Sequence, residues 1–390
     1  MKNLNKSPKR LKVLIPIRYP VGGIRTYLKY THGCLDKNSF EFTLIAPSEI
    51  WLTRTRDDFG GHDVKIICTK REDSSSSLLC TIFTTLLKNK YDLIHSQGYT
   101  AGMMSIVANL FFRLPHIITL HRTFGEGQLV NTFWHKYAFA KQRIIEFLLI
   151  RADVIQAVSN DAKENLLEYF PGLNKIPQKI KVIRNGICIE QFTWSTDEAD
   201  KPFVKEKDQF TIGFFGRYMP EKGFNYLIET MDIIVHGLGI DNIKVISVGG
   251  FGAFIREYQN EIQIKGLTRY FVFLDFFENI APILKEIHIL AIPSLGEACG
   301  LIAMEGLVCG TPVVAFSCLG LREVLRGTPA TMVPVRDTEH MAHEIIRIVN
   351  NYHEVKSNCL DFMEEAKQRF DSKKTANQLQ ILFYDVMQTS

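Results

Sequence analysis

Two glutamates, Glu297 and Glu305, stand eight positions apart in SLGEACGLIAMEGLVCGTPVVAF, residues 294–316, among side chains that are otherwise almost all small or apolar. A carboxylate accepts paired hydrogen bonds from vicinal hydroxyls, such as those of a hexose or a ribose. Read as one helix, the eight positions span roughly 12 Å at about 1.5 Å per residue. That separation is too long for an acid–base pair acting on one sugar ring. It suits a grip on the two ends of an extended ligand, a sugar at one end and a ribose at the other. The helix is expected over ACGLIAMEGLV with Gly310 behind it, so that Ala298, Cys299, Gly300 and Leu301 line its start and offer amide donors to a hydroxyl or phosphate. Glu297 alone also reads as an ordinary helix-start acid. Glu305, beside Met304, Gly306 and Leu307, does not read as a surface residue.

Cations and glycines stand at comparable places elsewhere. In GFFGRYMPEKGFNYLIE, Gly216 closes a β-branched and aromatic run, Arg217 follows it, and Lys222 with Gly223 opens a helical pattern. Arginine forks onto phosphate oxygens and lysine adds a compact second charge, so this turn is a candidate diphosphate site. Gly22 and Gly23 in RYPVGGIRTY form a strand-to-helix turn where backbone amides could approach a phosphate. Gly249, Gly250 and Gly252 make a further glycine-rich turn that could wall the same pocket. His95 and His121 fall at the ends of two successive apolar runs, and His121 is the better candidate for contact with a reacting group.

These residues need elements that bring them together. Short runs rich in Val, Ile and Phe recur along the chain: KVLIPI, EFTLIA, DVKIIC, YDLIHSQ, HIITLH, DVIQAVS and KIKVIRNG, then FTIGFFG, IKVISVGG, YFVFLD, HILAIPS and TPVVAF. They are apolar on both faces and alternate with helical patterns, which predicts parallel sheets covered by helices in two doubly wound α/β domains. Such sheets bind ligands at the carboxyl ends of their strands, where every candidate above falls. The polar stretch WSTDEADKPFVKEKDQF, residues 194–210, lacks periodicity and is the expected linker. The expected domains are 1–195 and 205–373, with a terminal helix at about 374–390 packing back on the first.

Composition agrees with that architecture. A chain of 390 residues exceeds one ordinary core. It is 46% hydrophobic and 23% charged, with no apolar run long enough to span a membrane. The basic N-terminal stretch reads as a tail leading into the first strand, not as a signal peptide. Eight cysteines carry no CxxC spacing, so neither a zinc site nor a disulfide framework is expected, and a reducing cytoplasm is the simplest setting. No DxD-like cluster suggests a metal, and nothing suggests nucleic acid. The net charge of +4 hides an asymmetry. Residues 1–195 hold 27 Lys and Arg against 16 Asp and Glu, an excess of +11, and the remainder holds 19 against 26. The first half is therefore expected to meet something anionic. The aromatic and basic pattern WHKYAFAKQRIIEFLLIRAD, residues 134–153, reads first as a core-packed helix and second as a membrane-surface helix.

GEACGLIAMEGLVCGTPVVAF resembles the E-x7-E signature of the family 4 retaining glycosyltransferases, which have the two-domain GT-B fold. The likeness runs through VGGIRTY, YDLIHSQG, PHIITLHRT, ADVIQAVSNDAKENL, VIRNGICIEQF, GFFGRYMPEKGFNYLIE and GLREVL, nearly the whole chain. It implies that Arg217 and Lys222 hold a donor diphosphate, Glu305 the nucleotide ribose and Glu297 the donor sugar. It implies that Gly23 contacts phosphate and that His121 faces the reacting sugar. Three positions depart from the pattern: Phe251 and Cys188 stand where Asp is common, and Gln97 where a second His is common.

The resemblance implies a metal-independent hexosyltransferase without cofactor that uses a UDP- or GDP-linked sugar. Its acceptor would be a glycan or lipid-linked glycan in cell-surface polysaccharide or lipopolysaccharide synthesis. Location in the cytoplasm is expected, with peripheral docking on an anionic membrane face. A nucleotide-sugar epimerase and a non-catalytic nucleotide-sugar-binding protein are the alternatives on the same fold. A dinucleotide dehydrogenase fits poorly, because VGGIRT lacks the full GxGxxG.

Overall fold

A computed structural model describes residues 10–20, 22–47, 58–71, 74–124, 138–193, 209–249 and 252–389. The chain divides into two compact units, one of 1–187 with 372–390 and one of 188–371. Residues 188–193, expected in the first domain, thus lie in the second unit, and most of the expected linker falls outside the described residues.

The first unit is built on seven strands: β1 Leu11–Pro16, β2 Phe40–Ala46, β3 Val64–Cys68, β4 Leu93–Gln97, β5 His116–Leu120, β6 Val154–Ala157 and β7 Ile180–Val182. They pair in the order β3-β2-β1-β4-β5-β6-β7, and every pairing is parallel. Every residue of β4 and β5 is buried, which is why their sequences run apolar without alternation. Helices Ser75–Lys88, Tyr99–Asn109 and Ala138–Leu149 pack side by side. The helix Ser372–Thr389 packs with helix Gly23–Thr31. It lays Leu379, Phe383 and Val386 into the core that holds Phe40, Phe42 and Leu44.

The second unit has six strands: β8 Phe210–Phe215, β9 Ile243–Val248, β10 Phe271–Leu274, β11 Ile289–Ile292, β12 Val313–Phe316 and β13 Thr331–Val333. Their order is β10-β9-β8-β11-β12-β13, again wholly parallel. In both sheets strand order reverses beside the first strand, between β1 and β4 and between β8 and β11. Splayed loops at such a reversal leave the crevice where doubly wound sheets take ligands. No described helix is long and apolar enough to cross a membrane. None of the eight cysteines is in a disulfide.

Candidate active site

In the second unit the reversal point brings two of the sequence candidates into contact. Lys222 follows β8 and Glu297 follows β11. The Lys222 ammonium donates to Glu297 Oε1 at 2.7 Å, and Ser294 Oγ donates to the same oxygen at 2.9 Å. Both partners are largely but not fully covered, with side-chain exposures of 25% and 14%. Lys222 is held by its turn. Pro220–Lys222 forms a single 3₁₀ turn, and Gly223 reverses the chain at φ 70°. A Cβ on Gly223 would sit 1.8 Å from the Pro293 carbonyl oxygen. The β8 and β11 loops therefore meet backbone to backbone at the one residue type that permits it. Arg217, more exposed, lies 3.8 Å from Glu221.

The glycine-rich turn after β9 closes on the same segment. A Cβ on Gly249 would meet the Gly216 carbonyl oxygen at 1.9 Å, and one on Gly252 would meet the Tyr218 backbone at 2.4–2.5 Å. These glycines thus serve close approach to the Arg217 turn. Gly250, a predicted donor-binding residue, and Phe251 lie outside the described residues.

The helix carrying Glu305 spans Leu301–Val308, with Gly300 in the left-handed region at φ 64°. It starts later than the sequence suggests, because that φ at Gly300 interrupts helical geometry. Glu297, Ala298 and Cys299 belong to the preceding loop, so an eight-residue helical rise does not set the spacing of the two glutamates. The first-turn amides begin at Leu301, and that of Ala303 donates to the Gly300 carbonyl at 3.1 Å. Glu305 is 5% exposed, which agrees with its apolar sequence context. Ala298 and Cys299 are likewise buried. Cys318 lies near Glu297. Burial, reinforced by that carboxylate, pushes its thiol up to about 12, so it stays protonated and is no nucleophile.

In the first unit Gly22 caps helix Gly23–Thr31 at φ 58° with no side-chain cap, and open space lies around Gly23 on its side-chain side. His121 directly follows β5. Its Nε2 lies 2.8 Å from Gln97 Oε1 at the end of β4, and the Tyr27 ring lies against it with centroids 4.7 Å apart. His95 corrects the sequence reading. It is fully buried within β4, where its Nε2 meets Thr119 Oγ1 at 2.7 Å and its Nδ1 meets His32 Nε2 at 3.2 Å. Thr119 donates to Gln156, and Gln156 donates to the Tyr27 hydroxyl at 3.2 Å. Burial lowers His32, His116 and His121 to about 3 and puts His95 well below the ordinary range, so this polar core is neutral.

Sequence reasoning missed Ser294, Tyr27 and Gln156 as partners of these groups. Ser294 could have been found as the second residue after β11, next to Pro293. Tyr27 and Gln156 meet from 129 positions apart, and nothing local marks them.

Two α/β units, each on a wholly parallel sheet, have the GT-B architecture of glycosyltransferases. The backbone aligns with Anabaena HepE, crystallised in complex with UDP and glucose, at a TM-score of 0.80 and 20% identity, covering 96% of this chain and all of that one. A sucrose-phosphate synthase from Thermosynechococcus elongatus also aligns at 0.80, with 17% identity, covering 98% of this chain and 100% of that one.

The chain belongs to glycosyltransferase family 4. The profile described as Glycosyltransferase Family 4 matches residues 21–191, and that described as Glycosyl transferases group 1 matches 209–351. Among curated relatives, a D-inositol 3-phosphate glycosyltransferase of Corynebacterium glutamicum is 26% identical over 316 residues, 78% of this chain and 75% of that protein. A phosphatidyl-myo-inositol mannosyltransferase of Mycobacterium leprae is 23% identical over 316 residues, 78% and 76% of the two chains.

Proposed function

We propose that this glycosyltransferase moves a hexosyl group from a UDP- or GDP-linked sugar to a glycan or lipid-linked glycan, with retention at the anomeric carbon and with neither metal nor cofactor. The observation that carries the reading is the Lys222–Glu297 pair at the β8/β11 reversal. It sets a cation for the diphosphate beside a carboxylate for sugar hydroxyls. Negative charge grows on the diphosphate as the glycosidic bond breaks, and Arg217 and Lys222 stabilise it where it forms. Glu305 takes the ribose, Glu297 the sugar hydroxyls, and Gly22 and Gly23 offer amides to phosphate. His121 meets a hydroxyl of the transferred hexose. Among the described residues, the thiol beside Glu297, Cys318, is neutral and offers no activated nucleophile. Retention then proceeds on one face, with a leaving phosphate oxygen taking the acceptor's proton.

HepE was crystallised with UDP-glucose, and this supports trying uridine donors first. Purified protein incubated with UDP- and GDP-hexoses and glycan or lipid acceptors should release nucleoside diphosphate only when an acceptor is present. The linkage formed should keep the donor's anomeric configuration, and EDTA should not slow the reaction. Conversion of the nucleotide sugar without acceptor would identify an epimerase instead. Binding without turnover would identify a carrier.

The first unit is read as docking on a membrane. Leu87, Leu110, Phe111, Ile144 and Phe147 are 55–76% exposed near the carboxyl ends of three helices that pack side by side. The Arg151 guanidinium stacks over Phe147 at 3.6 Å, and Lys88, Lys90, Arg113 and Arg143 are exposed on the same elements and the turns that follow them. Apolar side chains ringed by cations suit an anionic bilayer surface.

A further inference from the structure

The hydrogen bonds beneath His121 admit one placement of its proton. Gln97 ends β4, is 1% exposed, pairs with Thr119 of β5 and bridges Ile17 beyond β1. Its carboxamide meets two groups. Nε2 lies 3.4 Å from the His95 carbonyl oxygen, and Oε1 lies 2.8 Å from His121 Nε2. A backbone carbonyl can only accept, so the amide turns its NH₂ toward His95. Oε1 therefore faces the imidazole, and an acceptor there requires the proton on Nε2. Nδ1 is left as the lone-pair nitrogen. It has no hydrogen-bond partner among the described residues, and the ring keeps partial access to solvent.

The surroundings favour a neutral ring. Tyr27 faces it from helix Gly23–Thr31. His95 and His32 lie behind it, uncharged and bonded to each other. Arg122 follows it in the chain and is exposed. Among the described residues no carboxylate bonds to the imidazole.

We propose that Gln97 is a positioning residue that locks His121 as the Nε2–H tautomer, making Nδ1 a neutral acceptor for a hydroxyl of the hexosyl group. The second half of this statement rests on the functional reading above. An imidazolium would offer two donors and be drawn to the diphosphate. A neutral ring with Nδ1 open instead takes a hydroxyl proton. Charge is then handled by Arg217 and Lys222, and hydroxyl recognition by His121.

Long-range ¹H–¹⁵N spectra of the full chain labelled at histidine test the lock, with the His121 signal assigned by its loss in His121→Asn. The expected spectrum shows Nδ1 unprotonated and no titration between about pH 5.5 and 8. Gln97→Glu keeps the acceptor and adds a negative charge, so the ring should titrate within that window and transfer should gain a pH dependence absent from the wild type. Gln97→Leu should mix the tautomers and lower kcat/KM about tenfold, the size of one neutral hydrogen bond. A proton on Nδ1 in the wild type overturns the proposal. So does a Gln97→Leu protein with an unmixed tautomer and unchanged transfer. The spectrum needs no substrate, so the expected tautomer in a protein that transfers no hexose retires the transferase reading and leaves the lock standing.

Discussion

Lys222 holds its ammonium 2.7 Å from Glu297, so on the proposed reading an incoming diphosphate would compete with that carboxylate for the same cation. Removing the cation removes a donor aimed at developing charge, and Lys222→Ala or Arg217→Ala should lower kcat by about 100-fold or more. Circular dichroism should show both variants folded. Activity within a few-fold of wild type in both would reject the assignment. Glu297→Gln should behave differently. It frees Lys222 from its anionic partner, so calorimetry should find the nucleoside diphosphate bound at least as tightly as before, while transfer falls. Glu305→Gln should weaken that same binding by losing the ribose contact, and equal losses in both variants would refute a grip at two ends. The buried histidines make a separate demand. Burial lowers His32 and His116 from an ordinary 6.5 to about 3 and puts His95 well below 6.5. Above the unfolded value of 6.5 both states are neutral and stability is intact. As pH falls toward the folded value, the unfolded chain takes up protons that the fold refuses. Each ring then withdraws about 1.4 kcal/mol per pH unit. Urea unfolding of the first unit should lose up to roughly 6 kcal/mol between about pH 7.5 and 5. A flat profile would mean that these rings are not held neutral.

At the scale of elements, the site depends on loops that touch through their backbones. Gly223→Ala forces a side chain into a left-handed residue against the Pro293 carbonyl. The strain alone is worth roughly 1–3 kcal/mol, and relief must separate the β8 and β11 loops. A lowered Tm together with a loss of transfer resembling that of Lys222→Ala is the expected result, and an unchanged Tm would contradict the close approach. How far such elements could be read in advance varied with their physics. Twelve of the strands show as apolar runs, because a sheet covered on both faces needs apolar residues at nearly every position. β13 does not show: Thr331–Val333 is three residues long and only Val333 is buried. Glu297, Lys222 and Arg217 were legible because residues after parallel strands fall at one sheet edge. The late start of the Glu305 helix was not, since ACG carries no breaker until Gly300 takes a left-handed φ. His95 was misread as a strand-end residue. All five positions of β4 are buried, so its pattern cannot say which side chains remain inside.

At the scale of the whole molecule, the basic excess of residues 1–195 matches the exposed cations and apolar side chains on the helices of the first unit. Each Lys or Arg near an anionic bilayer is worth about 1 kcal/mol, and the attraction fades over roughly 8 Å at physiological salt. Co-sedimentation with anionic vesicles at low salt, lost at high salt and reduced in Phe111→Ser with Phe147→Ser, is the expected outcome. Indifference to such vesicles at low salt would turn the search to a soluble acceptor. The path of the chain has its own consequence. The first unit is interrupted after Ile187 and completed only by Ser372 onward, whose Phe383 packs on Phe40 and His95. During synthesis at about 5–20 residues per second, the intervening 188–371 take roughly 10–40 s to emerge. For that interval the nascent first unit displays an uncovered aromatic face while the second unit, continuous in sequence, can already fold. The unit begun first is thus the unit finished last, and its half-built core is where a chaperone on the ribosome would find this chain.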